Sequence, residues 1–468
     1  MKSTIKGKAL TALMLVLVTL CAVILAACDN GEMQDDFLAS IPELDTSKAT
    51  SSDDESSAEV TPEGYTAKPK VGNIVNVSPN EVVIAGTCEE GAVIRIKGGA
   101  DEITVASKDG YFITTTVLTG TSSTLLEITA KVEGKEESEI LSAVAYYSAI
   151  SEPRADGMSV AVGKDSHLYF DKMIENYTGS NLLTQTELRQ FKSFVNGKVS
   201  ACEARANGND FDLIYVLIPD VTSIYDEYLD DDIERTTHQT RYQQVSEALE
   251  GTEAIVIDMY DIFMAAKESG EYPIYRTTDS HLTEYGAYLV NVEICKVMAQ
   301  RFPAAAAHAL DEYEISTKNV IGGDLVSYLG IGKEITNENV PVLTPKYDIS
   351  IGDGESKGFD TTKISDIKVY TSSTDYSINE SKESGGVLAR TYFRTENTDL
   401  PCALVYRDDS AATLTQFLAE RLCNSMFALA GDFTINLTDA GRHNGEGRSL
   451  VDYVIVTVGE SNIDKILG

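Results

Sequence analysis

The distribution of apolar residues in the C-terminal two thirds of this chain predicts strands that alternate with helices. Residues 213–218 form a continuous apolar run that ends at Pro219, which is typical of a strand buried on both faces. Similar apolar runs predict further strands at 254–258, 402–406 and 453–458. Apolar residues recur with helical spacing in three other segments, which predicts helices at 241–249, 286–302 and 411–424.

This order of elements predicts the fold class of the larger part of the protein. Strands that alternate with helices form a parallel sheet with helices on both faces. We therefore predict an α/β domain over residues 159–468, built on a doubly wound parallel sheet in three layers. Residues 303–400 are less regular and contain many turn residues, so we interpret them as an irregular insertion.

A different pattern precedes this domain. Between residues 71 and 150 the sequence predicts short strands separated by turns such as Asp109-Gly110. The predicted strands are 81–86, 92–96, 102–106, 111–115 and 125–130. Strands at this spacing predict a small all-β sandwich. Residues 85–92 and 108–112 resemble segments of bacterial immunoglobulin-like (Ig-like) modules, which usually act as spacers or binders.

The N-terminal residues have the pattern of an export signal. Lys2, Lys6 and Lys8 precede an apolar run over residues 9–27. Small residues directly before Cys28 resemble the lipobox of bacterial lipoproteins, which implies cleavage after residue 27 and lipidation of the Cys28 thiol. An uncleaved signal anchor is the alternative, because the run is nearly long enough to span a membrane. Either interpretation places the protein outside the cytoplasmic membrane.

The acidic composition of the chain argues against some classes of binding partner. Residues 28–70 are acidic, rich in Ser, Thr and Pro, and predicted to form a disordered tether. The formal net charge of −35 argues against nucleic acid, whose phosphates require Lys and Arg. The five cysteines that remain after Cys21 and Cys28 lack the spacing of metal ligands. Cys295 and Cys402 fall in apolar segments, where we expect buried thiols.

The candidate catalytic chemistry begins with Asp279 and His281. In an extended segment, residues i and i+2 point to the same side, so Asp279 can hold His281 in one tautomer. The other ring nitrogen is then free to act as a base. A suitable nucleophile is Ser410, which follows the predicted strand at 402–406. Together these residues would form a Ser-His-Asp triad, which is recognised by geometry rather than by chain order.

Two observations weigh against this interpretation. Ser410 directly precedes a predicted helix, and a serine at that position often serves only as an N-cap. The sequence Asp-Ser-His-Leu also occurs twice, at Asp165–Leu168 and at Asp279–Leu282, so at least one copy is expected to be accidental. The first copy leads into an apolar segment and is interpreted as a turn that precedes a strand.

Ordered blocks of sequence carry a family resemblance. The blocks begin at Val162-Gly163-Lys164-Asp165 and continue at Leu217-Ile218-Pro219, Asp279-Ser280-His281 and residues 403–410. Through these blocks, residues 161–468 resemble the SGNH-hydrolase-like domain of alginate O-acetyltransferase proteins and the bacterial DHHW family. The resemblance implies an SGNH-like fold and a triad of Asp279, His281 and Ser410. It also implies a polysaccharide acceptor and a membrane-bound acyltransferase partner that supplies acetyl groups, with no cofactor.

Three positions depart from the family pattern. Leu282 replaces the family's Trp after His, Asp408 replaces its Gly before Asp-Ser, and Ala411 replaces its Phe after Ser. A glycine at 408 would let backbone approach an oxyanion closely, whereas Asp408 adds a side chain and a charge. The second oxyanion donor is not identified by the sequence; the Gly322-Gly323 loop is one possibility.

The sequence therefore favours an extracellular, lipid-anchored O-acetyltransferase or acetylesterase that acts on a surface or secreted polysaccharide. The alternative is a non-catalytic glycan-binding or scaffold lipoprotein with a degenerate site, which the departures at Leu282 and Asp408 favour. A metal site on Asp279 and His281 is a third and weaker hypothesis, because the sequence reveals no cluster of further ligands.

Overall fold

The computed structural model describes residues 61–148, 159–206, 212–347, 368–370, 390–395, 397–429 and 451–467. The predicted signal peptide at 1–27, the predicted lipidation site Cys28 and most of the predicted tether at 28–70 lie outside these residues. Within the described part of the chain, the longest and most apolar helices still fall short of what a membrane crossing requires.

The first described region is a β-sandwich. Its strands are β1 (Lys70–Ser78), β2 (Glu81–Thr87), β3 (Val93–Lys97), β4 (Ile103–Ala106), β5 (Tyr111–Val117), β6 (Ser123–Lys131) and β7 (Leu141–Tyr146). They form a three-stranded sheet, β1-β2-β5, and a four-stranded sheet, β4-β3-β6-β7, with antiparallel pairing throughout. Side chains from both sheets, including Ile84, Ile94 and Phe112, share one apolar core. That this sandwich is an Ig-like module stays a prediction.

The remaining described strands and helices form the α/β region. The strands are β8 (Val160–Val162), β9 (Leu168–Phe170), β10 (Asp212–Ile218), β11 (Ile255–Asp258), β12 (Tyr313–Ile321), β13 (Asn337–Pro345), β14 (Lys368–Tyr370), β15 (Arg390–Arg394), β16 (Ala403–Arg407), β17 (Asn424–Leu429) and β18 (Tyr453–Gly459). The helices are α1 (Asp171–Thr178), α2 (Gln185–Ala206), α3 (Val221–Ile224), α4 (Arg241–Glu250), α5 (Tyr260–Ser269), α6 (Glu284–Ala299), α7 (Asp324–Leu329) and α8 (Thr415–Leu418).

The central sheet has seven strands in the order β11-β10-β18-β16-β17-β15-β14. The first five are parallel, whereas β15 and β14 add antiparallel strands at one edge. Alternate residues of β10 enter two separate cores, since Ile214 and Val216 pack on one face and Leu213 and Tyr215 on the other. The predicted three-layer α/β class is confirmed, and the two antiparallel edge strands are an addition to it.

Two segments differ from the sequence prediction. Residues 313–345, predicted to be irregular, form a regular hairpin in which β12 pairs with β13 from Tyr313↔Pro345 to Ile321↔Asn337, with α7 in the connection. Most side chains of β12 are exposed, so the sequence of this strand has no periodic apolar pattern from which a strand could be predicted. The helix predicted at 411–424 is shorter and consists of α8 flanked by 3-10 turns, because β17 already begins at Asn424.

The sandwich packs directly on the α/β region. Val83 and Ile113 of the sandwich share an apolar core with Leu168 of β9 and with Leu325 of α7. The backbone N–H of Ile113 donates a hydrogen bond of 2.8 Å to Oγ of Ser166, which is fully buried. The sandwich is therefore joined to the α/β region by a shared core and by a buried hydrogen bond.

Candidate active site

A cavity of about 430 Å³ lies at the carboxyl ends of neighbouring parallel strands. Asp220 follows β10, Gly459 ends β18, and Ser410 follows β16; all three line the cavity. These strands are neighbours in the sheet, so segments far apart in sequence meet at one edge. The carboxyl edge is where open parallel sheets bind ligands.

His281 also lines this cavity, and Asp279 contacts its ring. Oδ1 of Asp279 accepts hydrogen bonds from Nδ1 of His281 and from the His281 backbone N–H. Because a carboxylate only accepts, Nδ1 carries the proton and Nε2 keeps a lone pair. The pair precedes α6, which is capped by Thr283, whose Oγ1 accepts from the Gly286 N–H at 3.1 Å. The predicted orientation of His281 by Asp279 is present.

Arg276 and Glu338 hold the loop that carries this pair. Nη1 of Arg276 donates to Oδ2 of Asp279 at 2.7 Å, and Nη2 donates to Oε1 of Glu338 at 3.0 Å. Glu338, from β13, is buried and accepts from the Thr277 N–H at 2.7 Å and from the Thr278 hydroxyl. The hairpin interpreted from sequence as irregular thus supports the candidate catalytic loop.

Burial and charge act in opposite directions on this pair. Burial alone would raise the pKa of Asp279, but the hydrogen bonds of His281 and the charge of Arg276 outweigh it and lower that pKa. Burial alone would lower the pKa of His281, but the hydrogen bond and charge of Asp279 outweigh it. Asp324 and Asp409 add to this effect, so the pKa of His281 lies above its ordinary value. A neutral His281 is consequently a stronger base than a free imidazole.

The structure brings Ser410 to the same cavity but not into a hydrogen bond with His281. The Leu282 N–H donates to the Ser410 carbonyl oxygen at 3.2 Å, which joins the two loops. The Ser410 hydroxyl donates instead to Oδ1 of Asp408 at 2.5 Å, and among the described residues no hydrogen bond connects it with His281. The N-cap interpretation of Ser410 is wrong, since the 3-10 turn that begins at Ala412 has no side-chain cap.

Asp408, one of the departures from the family pattern, is the most strongly bonded side chain of the cavity. It is only 2% exposed. Oδ1 also accepts from the Ser410 N–H at 3.1 Å. Oδ2 accepts from the Gly459 N–H at 2.7 Å and from Nδ2 of Asn462 at 2.9 Å. This one carboxylate therefore accepts both the candidate nucleophile's proton and three N–H groups.

Asp220, which lines the cavity, forms a buried pair of acids with Glu460. Oε2 of Glu460 accepts from the Asp220 N–H and from the Ser223 hydroxyl, each at 2.8 Å, whereas Oε1 has no hydrogen-bond partner among the described residues. Burial, together with the charge of Asp220, raises the pKa of Glu460 to about 8. Burial also raises the pKa of Asp220. Glu460 is therefore held in the neutral form near pH 7.

The other Asp-Ser-His-Leu copy has a structural role. His167 is buried and stacks on Tyr228 with ring centroids 3.7 Å apart. Its Nδ1 lies 3.1 Å from the Lys164 carbonyl oxygen. Burial lowers the pKa of His167 to about 4, so the ring is neutral. Asp165 makes a tight turn at a positive φ of 49°, and among the described residues its carboxylate makes no hydrogen bond with the ring.

Asp324 adds a third group beside the Asp279–His281 pair, and ligand atoms of the three lie within 4.8 Å of one another. Asp324 already accepts from the Ser280 N–H at 2.9 Å, the Ser280 hydroxyl at 2.6 Å and the Leu325 N–H at 2.8 Å. Asp279 is bonded to the cationic Arg276. The donor set fits a saturated hydrogen-bond network better than a cation site, which needs free carboxylate lone pairs.

The structure also corrects the suggested role of the Gly322-Gly323 loop. The Gly323 N–H donates to Oγ1 of Thr278 at 3.1 Å, and the Gly322 N–H donates to the Lys333 carbonyl at 3.0 Å. Both N–H groups are therefore already used in hydrogen bonds to neighbouring segments. A Cβ at position 323 would overlap Asp279 and the Thr278 carbonyl, so Gly323 permits close packing behind the catalytic loop.

Sequence reasoning missed several residues of this site. Gly459 and Asn462 follow the predicted strand at 453–458 directly, and polar residues after a buried strand are a signal that was available. Arg276 lies three residues before Asp279, but an exposed arginine in a loop is common. Nothing in the sequence singles out Glu338, which contacts the site through the hairpin.

Comparisons with known proteins define the class. Residues 160–380 match the family described as the SGNH hydrolase-like domain of the acetyltransferase AlgX. The family resemblance of the sequence is therefore confirmed over these residues.

Among individual proteins, the chain is 25% identical over 236 residues to a probable alginate O-acetylase AlgJ of Pseudomonas syringae pv. tomato. This match covers 49% of the chain and 56% of that relative, so the chain spans little more than half of the relative's length.

Solved structures also show similarity. A DHHW family protein from Eubacterium siraeum is 15% identical, with a TM-score of 0.43 over 68% of this chain and 95% of that one. The O-acetyltransferase domain of Pseudomonas putida AlgJ is 13% identical, with a TM-score of 0.38 over 65% of this chain and 92% of that one. At these values the similarity extends to neither substrate nor site residues.

Proposed function

We propose that this chain is an extracytoplasmic enzyme that transfers acetyl groups to a polysaccharide or removes them from it. Ser410 is the nucleophile and His281 is the general base. Asp279 orients His281 and stabilises its protonated form. The observation that carries the proposal is that Ser410 and His281 line one cavity at the carboxyl edge of the parallel sheet, with Asp279 hydrogen-bonded to His281. The SGNH hydrolase-like match over residues 160–380 supports it.

The reaction starts when the Ser410 hydroxyl leaves Asp408 and turns toward Nε2 of His281. His281 takes the hydroxyl proton while Oγ attacks the carbonyl carbon of an acetyl ester. The tetrahedral intermediate then expels the donor alcohol, which receives the proton from His281, and Ser410 is left acetylated. A sugar hydroxyl attacks this ester to complete transfer; when water attacks instead, acetate is released.

Asp279 serves this cycle in two ways. Its hydrogen bond to Nδ1 fixes the tautomer that leaves Nε2 facing the reaction, and its negative charge stabilises the imidazolium that forms. The hydrogen bond of His281 and the charge of Arg276 lower the pKa of Asp279 and so keep the carboxylate ionised. Contacts from Glu338 of β13 through Arg276 and Asp279 thus determine the position of His281 at the cavity.

The charge of the cavity bears on the acceptor. Five carboxylates line it, from Asp171, Asp220, Asp324, Asp408 and Asp409. Lys172 and Lys465 also line it, but Lys172 is paired with Asp464 at 2.8 Å. The whole chain carries a formal net charge of −35. An acidic cavity repels polyuronates, so the proposed acceptor is a neutral or cationic polysaccharide rather than alginate.

The proposed location and partner follow from the N-terminal sequence. Lipid on Cys28 would anchor the protein at the outer face of the membrane, with residues 28–70 as the tether. Acetyl-CoA is not expected outside the cytoplasm, so the acetyl donor arrives by another route. A membrane-bound acyltransferase that passes acetyl groups outward is the partner that fits this need.

A second function, glycan binding without turnover, is favoured by one observation. The Ser410 hydroxyl is bonded to Asp408 rather than to His281, which is the arrangement of a resting or inactive serine. In that case the cavity would hold a sugar and perform no chemistry.

Hydrolysis of 4-nitrophenyl acetate by the exported protein separates these functions. We expect turnover by the wild type and a loss of at least about a hundredfold in Ser410→Ala and in His281→Ala. Serine at position 327, exposed on α7, provides the matched control Ser327→Ala, which should retain wild-type turnover. Equal turnover by wild type and Ser410→Ala would remove Ser410 from the chemistry. Retention of a neutral glycan without ester turnover would establish the binding function instead.

A further inference from the structure

Three N–H groups from two segments of chain converge on one carboxylate at the cavity, one group on Oδ1 and two on Oδ2. The backbone N–H groups of Ser410 and Gly459 and the side-chain Nδ2 of Asn462 all donate to the Asp408 carboxylate. We refer to these three groups as the donor cluster. Gly459 allows the close approach, because a Cβ there would lie 3.0 Å from Oγ of Ser410 and 3.3 Å from Oδ2 of Asp408.

The donor cluster has the properties of an oxyanion site. It consists of fixed N–H donors beside a candidate nucleophile, in a partly buried position where hydrogen bonds to a negative oxygen are strong. One of its donors is the N–H of the nucleophilic residue itself, which lies next to any carbonyl that Oγ attacks. The ligand now bound there is an anion that belongs to the chain, the carboxylate of Asp408.

We propose that Asp408 occupies the oxyanion site of this enzyme and holds it in a latent state. The carboxylate takes the donor cluster and the Ser410 hydroxyl together, at distances from 2.5 to 3.1 Å. A substrate carbonyl gains access only when Asp408 turns away, which frees the donors and the hydroxyl at once. The catalytic part of this inference rests on the proposed function; the anion site does not.

The opposite role for Asp408 is activation of Ser410 as a base. The geometry argues against it, because both oxygens of the Asp408 carboxylate already accept N–H groups. His281 is the better base, since its Nε2 has no hydrogen-bond partner among the described residues. The two roles predict effects of opposite sign when the carboxylate is removed.

Labelling of Ser410 by a fluorophosphonate tests the catalytic part. Oγ attacks phosphorus, fluoride leaves, and the hydroxyl proton passes to His281. We expect Asp408→Gly, which introduces the family's residue, to be labelled at least about tenfold faster than the wild type, with Ser410→Ala unlabelled. Asp408→Ala provides a second variant if the glycine destabilises the loop. Slower labelling of both variants would identify Asp408 as an activator and overturn the proposal.

Asp409→Asn is the matched control for charge. Asp409 neighbours Asp408, lines the same cavity and is exposed, but it donates or accepts none of the hydrogen bonds of the donor cluster. If Asp409→Asn accelerates labelling as much as Asp408→Gly, the effect is one of charge alone and the latent-state proposal fails.

Acetate binding tests the anion site without any turnover. In Asp408→Gly, free acetate can replace the deleted carboxylate on the donor cluster, whereas in the wild type the cluster is filled. We expect sodium acetate to raise the melting temperature of Asp408→Gly by roughly 2 °C relative to sodium chloride at equal ionic strength, and to leave the wild type unchanged. The double variant Asp408→Gly/Ser410→Ala should respond likewise.

These measurements keep the two proposals apart. Acetate stabilisation of Asp408→Gly without ester turnover in any variant would support the anion site and refute the enzyme. Turnover by the wild type with equal labelling and equal acetate response in both proteins would support the enzyme and overturn the latent state.

Discussion

Arg276 donates a hydrogen bond of 2.7 Å from Nη1 to Oδ2 of Asp279, on the carboxylate oxygen opposite to the one that faces His281. Its other terminal nitrogen bonds to the buried Glu338 at 3.0 Å. One cation therefore compensates two carboxylates that have little access to water. Loss of this cation would leave both carboxylates without their counter-charge.

Replacement of Arg276 by Met should leave Asp279 and Glu338 buried without a counter-charge. We expect the free energy of unfolding to fall by about 2–4 kcal/mol, because removal of one partner of a buried ion pair leaves an uncompensated buried charge. Urea denaturation measures this change. Arg189→Met on the exposed face of α2 is the control, and it should change stability by less than about 0.5 kcal/mol. Equal effects of the two substitutions would refute the role of Arg276.

The pH dependence of turnover should reveal the raised pKa of His281. Only neutral imidazole accepts a proton, so kcat/KM should fall as the pH drops through a midpoint above 6.5, the ordinary value for histidine. In Asp279→Asn the contribution that raises this pKa is lost while burial remains. We therefore expect the midpoint to move to lower pH and the rate to fall by about 10²–10⁴. A midpoint that stays in place in Asp279→Asn would contradict the assigned contact.

Gly323 tests whether the hairpin positions the catalytic loop. In Gly323→Ala the new methyl group would overlap Asp279 and the Thr278 carbonyl, so the loop must shift. We expect a loss of stability of about 1–3 kcal/mol and a fall in ester turnover. The control is Gly197→Ala in α2, where an added Cβ meets no atom within 4 Å and should stabilise the helix by about 0.5–1 kcal/mol. Unchanged turnover in Gly323→Ala would show that the contact is unimportant.

Glu460 should make stability depend on pH. Its folded pKa of about 8 exceeds its ordinary value of 4.5. Between these two pH values unfolding releases a proton, so a rise in pH lowers the free energy of unfolding. The stabilising contribution is complete below 4.5 and is lost as the pH rises toward 8, by on the order of a few kcal/mol. Glu460→Gln cannot ionise, and its unfolding free energy should vary less over this interval. The exposed Glu247→Gln on α4 should keep the wild-type slope.

The charge of the cavity leads to a prediction about the acceptor. A neutral polysaccharide should accept acetyl groups or bind more strongly than alginate, whose uronates face five cavity carboxylates. High salt should narrow this difference, because ions screen the repulsion. Co-sedimentation at low and high ionic strength provides the measurement. Preferential binding of alginate at low salt would refute the proposed class of acceptor.

Local patterns in the sequence were sufficient to predict part of this architecture. The apolar runs that became β10, β11, β16 and β18 each carry their own signal of burial. Asp279 and His281 are two residues apart, so their contact is also local. The buried thiols of Cys295 and Cys402 follow from the same apolar segments.

Other contacts depend on which strands become neighbours. Asp408 meets Gly459 and Asn462 because β16 lies beside β18, although 45 residues or more separate these segments in the sequence. Nothing in either segment alone specifies that pairing. The Glu338 contact is similar, since it requires the β12–β13 hairpin, and the mostly exposed strand β12 carries no apolar period.

The sandwich and α7 share one apolar core, which makes each part dependent on the other. A truncated chain that begins at residue 159 would expose Leu168, Leu325 and their apolar neighbours to solvent, and it is expected to aggregate rather than behave as an independent enzyme. For the same reason the sandwich cannot swing freely on a hinge. A surface that binds the sandwich therefore also fixes the orientation of the cavity opening.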